Sequence, residues 1–103
     1  MSIENLTSQE RAYLRGLANG LDAIFQLGKG GINENFIKQI DDAIEVRELI
    51  KISVLENADA DVKELAAEIC EKAHCQSVQI IGRRIVFYRQ ARDKDKRKIV
   101  LPK

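Results

Sequence analysis

Cysteine and histidine are scarce in this chain of 103 residues, at two and one, and the scarcity excludes several classes of protein. Two cysteines, Cys70 and Cys75, cannot form the disulfide framework of a small secreted scaffold. Both fall near the end of one helical pattern and read as buried or half-buried thiols. With His74 they make one candidate metal cluster, because positions 70 and 74 share a helix face. A structural zinc site needs a second, distant ligand pair. None is visible, so packing is the expected role and no metal or cofactor is expected. His74 has no partnered nucleophile in view and reads as a surface or capping residue rather than a base. No catalytic constellation stands out, and an enzyme is not expected.

Long apolar runs are missing too. None approaches the ~20 residues of a membrane span. The first residues, Met1-Ser2-Ile3-Glu4-Asn5, lack the basic and apolar regions of a signal peptide, which makes the cytoplasm the default expectation. There is no internal repeat and no low-complexity segment. The length fits a single domain over 1–103 with one core.

Charge is abundant but unevenly placed. The net charge is only +1, yet that average hides three zones. Residues 1–40 carry four basic and four acidic side chains and are neutral. Residues 41–71 carry three basic and ten acidic, a net of −7; residues 72–103 carry ten basic and two acidic, a net of +8. Folding could interleave these charges and cancel the field. Because the C-terminal charges cluster in sequence, the reading favours a real basic face that meets a polyanion. Arg83, Arg84 and Arg89 belong to that face, with Lys96, Arg97 and Lys98 in a basic tail over 90–103.

Hydrophobic periodicity gives the order α-β-α-β-α-β-β. Thr7 and Glu10 fit a capping box opening the first helix, with Leu14, Leu17 and Ala18 on one face and Asn19-Gly20 as its stop. Arg11 and Arg15, four apart, form a basic stripe on it. Asp22 to Leu27 reads as a strand. Asn33 is a plausible N-cap for a second helix whose inner face is Phe36, Ile37, Ile40, Ala43 and Ile44. In Leu49 to Leu55, Ile50, Ile52 and Val54 alternate with Lys51 and Ser53, the pattern of a half-buried strand. Val62, Leu65, Ala66, Ile69 and Ala73 form the stripe of a third helix. Ser77 to Ile81 and Ile85 to Arg89 read as a hairpin turning at Gly82-Arg83. Phe87 and Tyr88 alternate there, so one is expected in the core and the other more exposed, where Tyr88 could stack on a base. Residues 90–98 read as a mobile linker, and Ile99-Val100-Leu101 as an extended docking segment ended by Pro102. The expected fold is α/β, a two-layer sandwich with a four-stranded mixed sheet.

The most informative local feature is Gly28-Lys29-Gly30-Gly31. It follows Ala23-Ile24-Phe25-Gln26-Leu27 and precedes the second helix. A strand, a glycine turn with a lysine, and a helix N-terminus make a phosphate-holding geometry. A mononucleotide P-loop is excluded, because Lys29 directly follows the first glycine and no Ser/Thr follows to hold magnesium. A dinucleotide fingerprint is excluded too, because Asn33 stands where the third glycine belongs. A Gly-x-x-Gly loop that clamps a nucleic-acid backbone ahead of a helix does fit.

Several stretches together carry a family resemblance. They are Arg15-Gly16-Leu17-Ala18, Phe25-Gln26-Leu27-Gly28-Lys29-Gly30-Gly31, Glu48-Leu49-Ile50-Lys51-Ile52, Val78-Gln79-Ile80-Ile81-Gly82, Val86-Phe87-Tyr88-Arg89 and Lys98-Ile99-Val100-Leu101-Pro102. The chain resembles the CRM domain (chloroplast RNA splicing and ribosome maturation) in its stand-alone bacterial YhbY form, from Leu6 to Lys103. The resemblance implies a compact α/β fold similar to the C-terminal domain of translation initiation factor three. It also implies RNA binding, with bacterial members linked to precursors of the large ribosomal subunit. The expected protein is therefore a monomeric, non-enzymatic RNA-binding assembly factor with ribosomal RNA or pre-ribosomal particles as partner. Its contact residues are expected to be Gly28, Lys29, Gly30, Gly31, Arg11, Arg15, Arg83, Arg84 and Arg89. The alternative is a protein-interaction module that docks a basic partner on the acidic middle segment.

Overall fold

A computed structural model describes residues 6–28, 30–56 and 61–102. The elements run α1 (Ser8–Ala18), β1 (Phe25–Leu27), α2 (Glu34–Arg47), β2 (Leu49–Val54), α3 (Val62–Ala73), β3 (Gln76–Ile81) and β4 (Arg84–Tyr88), with a 3-10 turn at Lys94–Lys96. The order is the one that periodicity predicts. β1 is shorter than the strand expected from Asp22, although the Ile24 N–H still donates to Lys51 O at 2.9 Å just before it.

The four strands form one mixed sheet in the order β1-β2-β4-β3. β1 and β2 are parallel neighbours joined through α2, with Leu27 opposite Val54. The β3–β4 hairpin is antiparallel, and β4 inserts beside β2 so that Leu49 lies opposite Tyr88. The sequence shows the hairpin but not this insertion, which makes β4 a central strand.

Centrality decides what β4 buries. On one sheet face Ile50, Ile52, Val54, Ile85 and Phe87 pack with Ile40 and Ile44 of α2 and with Leu65 and Ile69 of α3. On the other face Leu49, Val78, Val86 and Tyr88 pack with Leu14 and Ala18 of α1. The sandwich of sheet and α2/α3 thus carries α1 as further cover on its second face. Phe87 and Tyr88 are both buried, at 0% and 6% exposure, contrary to the expected inside–outside alternation. Tyr88 is not available to stack on a base, and burial pushes its hydroxyl up to about 12, with the Glu48 charge adding to the shift.

The helix ends follow their sequences. Thr7 Oγ1 accepts the Glu10 N–H at 3.0 Å while Glu10 Oε1 accepts the Thr7 N–H at 2.9 Å, completing the capping box. Asn33 Oδ1 accepts the Phe36 N–H at 2.8 Å. α3 ends at His74, whose left-handed backbone (φ +54°) makes it a C-cap. Among the described residues no group of three side chains could hold a metal ion. No helix there is long and apolar enough to cross a membrane.

Residues 90–98, expected as a mobile linker, are held down. Glu48 is fully buried, and its carboxylate accepts N–H groups from Ala91 (2.7 Å), Lys98 (2.7 Å) and Ile99 (2.9 Å). Glu45 accepts those of Arg92 and Asp93, both at 2.9 Å. Ile99 and Leu101 then pack against the α1 cluster while Val100 points out, as expected for the docking segment.

Candidate nucleic-acid interface

The glycine turn sits where β1 leaves the sheet. The parallel ladder extends one step past the strand, because the Leu55 N–H donates to Leu27 O at 2.8 Å. Gly31 N–H then donates to Gly28 O at 3.0 Å, and Gly30 lies in a turn. Lys29 itself lies outside the described residues. Gly31 has φ +69°, a conformation that a side chain disfavours. A Cβ added at Gly30 or at Gly31 would meet nothing within 4 Å, so both face open space, but no positive φ is found at Gly30. The fold therefore requires glycine at 31 for its backbone and makes no such demand at 30. Three residues past Gly31, α2 begins, and its first N–H groups have no acceptor within the helix. Glu34 in the first turn already complements the helix dipole, so an anion here is left mainly to the turn and to nearby cations.

The hairpin turn comes to the same end of the sheet. Gly82 adopts φ +58° at its first central position, as the sequence predicts for a glycine there. Arg83 O accepts the Val54 N–H at 2.7 Å. The Arg83 guanidinium reaches back to Val54 O (2.9 Å) and Leu55 O (2.5 Å). Leu55 is thus tied to Leu27 on one side and Arg83 on the other, which joins the glycine turn and the hairpin through the end of β2.

The five arginines expected on the interface separate into two groups. Arg84 and Arg15 are exposed, and their side chains make no hydrogen bond or ion pair among the described residues. Arg83 is half-buried and ties the hairpin to β2. Arg11 is half-buried, and its guanidinium donates to Ser77 O (2.6 Å) and Val78 O (3.2 Å), fastening α1 to β3.

Arg89 requires a correction. It is only 8% exposed, and its guanidinium pairs with Asp41 (2.6 Å) and Glu45 (3.3 Å) and donates to Ala73 O (2.9 Å). It lies just past β4, under α2 and the end of α3, and offers nothing to a phosphate outside. Cluster statistics along the chain gave it the same weight as Arg84; only the sheet order separates them.

The acidic middle segment explains much of this. Asp41, Glu45 and Glu48 hold Arg89 and the backbone of the tail, and Arg92 also reaches Asp41 at 3.3 Å. Burial alone would raise the Glu48 carboxyl, but its three N–H donors and the nearby Arg97 outweigh this and hold it below its ordinary range. The Glu45 carboxyl is lowered by the Arg92 and Asp93 N–H groups, with help from Arg89. These carboxylates are not free to dock a basic partner. Sequence reasoning passed over Glu48, although it stood in one of the stretches carrying the family resemblance. Its signal was an acidic residue at the seam between helix and strand, followed by an apolar run.

Cys70 and Cys75 flank the α3 C-cap. The Cys70 thiol is lowered through a hydrogen bond with Cys75, whose own thiol that contact and burial push up. Both are free cysteines.

Comparison with known proteins agrees with this architecture. The CRS1 / YhbY (CRM) domain model matches residues 6–89. The Bacillus subtilis "Probable RNA-binding protein YqeI" is 45% identical over 94% of this chain and 99% of its own length. A Haemophilus influenzae "RNA-binding protein" is 33% identical over 95% and 96%. A hypothetical protein of Staphylococcus aureus solved in solution superposes with a TM-score of 0.75 at 51% identity, covering 95% of this chain and 100% of that one. The chain belongs to the CRS1 / YhbY (CRM) domain family.

Proposed function

We propose that this protein binds single-stranded RNA through its backbone, at the end of the sheet where the glycine turn and the hairpin meet. The observation that carries the reading is the pairing of an open, side-chain-free Gly30 with an exposed Arg84, whose side chain has no partner among the described residues, on elements joined at Leu55. A backbone clamp needs N–H groups and room for the sugar at one point, and a mobile cation beside it. Arg15, also exposed and without a side-chain partner among the described residues, adds to the positive surface. Lys29 adds a loop cation on sequence grounds. The names of the bacterial relatives support RNA as the partner, and the resemblance to stand-alone bacterial CRM proteins supports a non-enzymatic, monomeric role in large-subunit ribosome assembly.

Titration of labelled single-stranded RNA over a range of salt tests the contact. Arg84→Glu is expected to lower affinity and make the salt dependence shallower by roughly one phosphate contact. Unchanged affinity and slope in the folded variant would exclude the hairpin. Crosslinking in cells and sequencing of the bound RNA tests the ribosomal assignment, which fails if large-subunit ribosomal RNA is not enriched.

A further inference from the structure

We propose that the groove between the N-terminal half of α2, the C-terminal end of α3 and the segment after β4 receives an unpaired base of the RNA whose backbone the glycine turn holds. The inference rests on the RNA-binding reading and adds a second site to it. The groove has a volume of about 820 Å³, within the ~300–1,000 Å³ typical of small-molecule sites. It begins at Ile32, the residue that follows Gly31, so a strand gripped at the turn leads directly into it.

Its lining has the two chemistries a nucleotide needs. Ile32 and Ile37, both half-buried, offer aliphatic surface to the face of a base. The exposed His74 ring, carried on the left-handed C-cap of α3, offers a stacking partner. Lys38, Lys72 and Arg92 stand around these groups as phosphate donors. Lys38 is exposed and has no partner among the described residues. Lys72 pairs with Glu68 at 2.7 Å, but both side chains are about half exposed, and such a surface pair exchanges readily.

Two acids also line the groove, Glu34 and Asp41. Asp41 is already matched by the buried Arg89 at 2.6 Å, closer than its 3.3 Å contact with Arg92. Arg92 is therefore free to turn toward a phosphate without leaving an unpaired carboxylate behind. Glu34 leaves a hydrogen-bond acceptor at the rim, which suits the exocyclic amine of a base and disfavours a bare phosphate at that point.

Amide chemical shifts of the full chain test the inference with five probes: RNA pentamers of A, C, G and U, and a matching abasic ribose-phosphate pentamer. At least one base-bearing pentamer is expected to shift Ile32, Ile37, Lys38 and Arg92 saturably. The abasic pentamer is expected to shift Gly30 and Gly31, and the cationic rim through its phosphates, but not the base-facing Ile37. Lys38→Glu should weaken the best base-bearing pentamer by about tenfold, the loss of a charge-assisted contact, with an unchanged melting temperature. Shifts confined to the turn and the cationic rim with every probe would overturn the groove assignment and leave backbone binding standing. No shift with any pentamer would overturn both.

Discussion

Arg84 and Arg89 bracket β4, five residues apart in one basic stretch, yet they do opposite things. Arg84 opens the strand at the hairpin end, exposed and with no side-chain partner among the described residues; Arg89 follows its last residue, buried between two carboxylates and a helix carbonyl. The difference comes from what covers each end of the sheet. At the hairpin end Ile80, Ile81 and Arg84 are exposed. At the other end, α2 and the tail close over the chain. A run of like charge along a sequence is thus divided by the fold into a part that can meet a ligand and a part that neutralises the protein's own acids.

The deepest test of the closed end is Glu48→Ala. It strips three backbone N–H groups of their acceptor in a buried site, a loss of about 3–4 kcal/mol. The expected fall in melting temperature is ~12 °C or more, at ~4–8 °C per kcal/mol for a domain of this size. Glu48→Gln keeps an acceptor for Lys98 and Ile99 but sets an amide against the Ala91 N–H, and is expected to fall between. A melting temperature unchanged in both would mean that the tail is not anchored there.

Next in size is the arginine pair itself. Arg89→Ala should cost about 2 kcal/mol of stability, less than a fully dry pair because Asp41 and Glu45 keep partial solvent contact. Its RNA affinity should stay within about twofold once folding is controlled. Arg84→Ala should do the reverse, leaving the melting temperature within ~2 °C while affinity falls about tenfold, the loss of roughly 1.4 kcal/mol. Calorimetry and RNA titration on both variants check the crossing; matching behaviour in the two would dissolve the distinction between the ends.

Acid should act on the closed end alone. The Glu45 and Glu48 carboxyls lie below their ordinary 4.5 in the folded protein. Their contribution is complete above that value and is lost as pH falls through the lowered folded values. Thermal unfolding of the parent should therefore weaken below about pH 4.5 more steeply than that of Glu48→Gln. Parallel curves would show that Glu48 does not contribute to acid sensitivity.

The smallest effects on stability lie in the turn. Gly31→Ala should cost about 1 kcal/mol because of its positive φ, and Gly30→Ala almost nothing. Gly30→Asp should leave the circular dichroism spectrum and melting temperature nearly unchanged while removing most RNA affinity, since it places a carboxylate where the phosphate would lie. Full RNA binding by folded Gly30→Asp would reduce the loop to a simple tight turn.

The sequence made the local structure legible and the non-local structure less so. Thr7 with Glu10, Asn33, and the glycine at 82 act through bonds within three or four residues, and each appears where its pattern placed it. Tyr88, Arg89 and residues 90–98 were misread for one shared reason. Their surroundings come from α1, α2 and the seam at Glu48, more than forty residues away in the chain, and periodicity carries no information about such partners. For the candidate site, Gly30 is open and Arg84 exposed, as a contact residue must be, while the groove beside them depends on how α2 and α3 pack.

The clasp at Glu48 also sets an order of events during synthesis. All four strands and three helices are complete once residue 88 has been made, and the family match ends one residue later. The carboxylate at the head of β2 nevertheless waits for donors that lie 43 to 51 positions downstream. A nascent chain lacking residues 91–99 holds a desolvated acid with no partner, so its sheet is expected to remain loosely closed. The segment over residues 91–99 is then the one that locks the α2–β2 junction, and a chain cut at the family boundary should behave as an arrested folding intermediate rather than as a minimal domain.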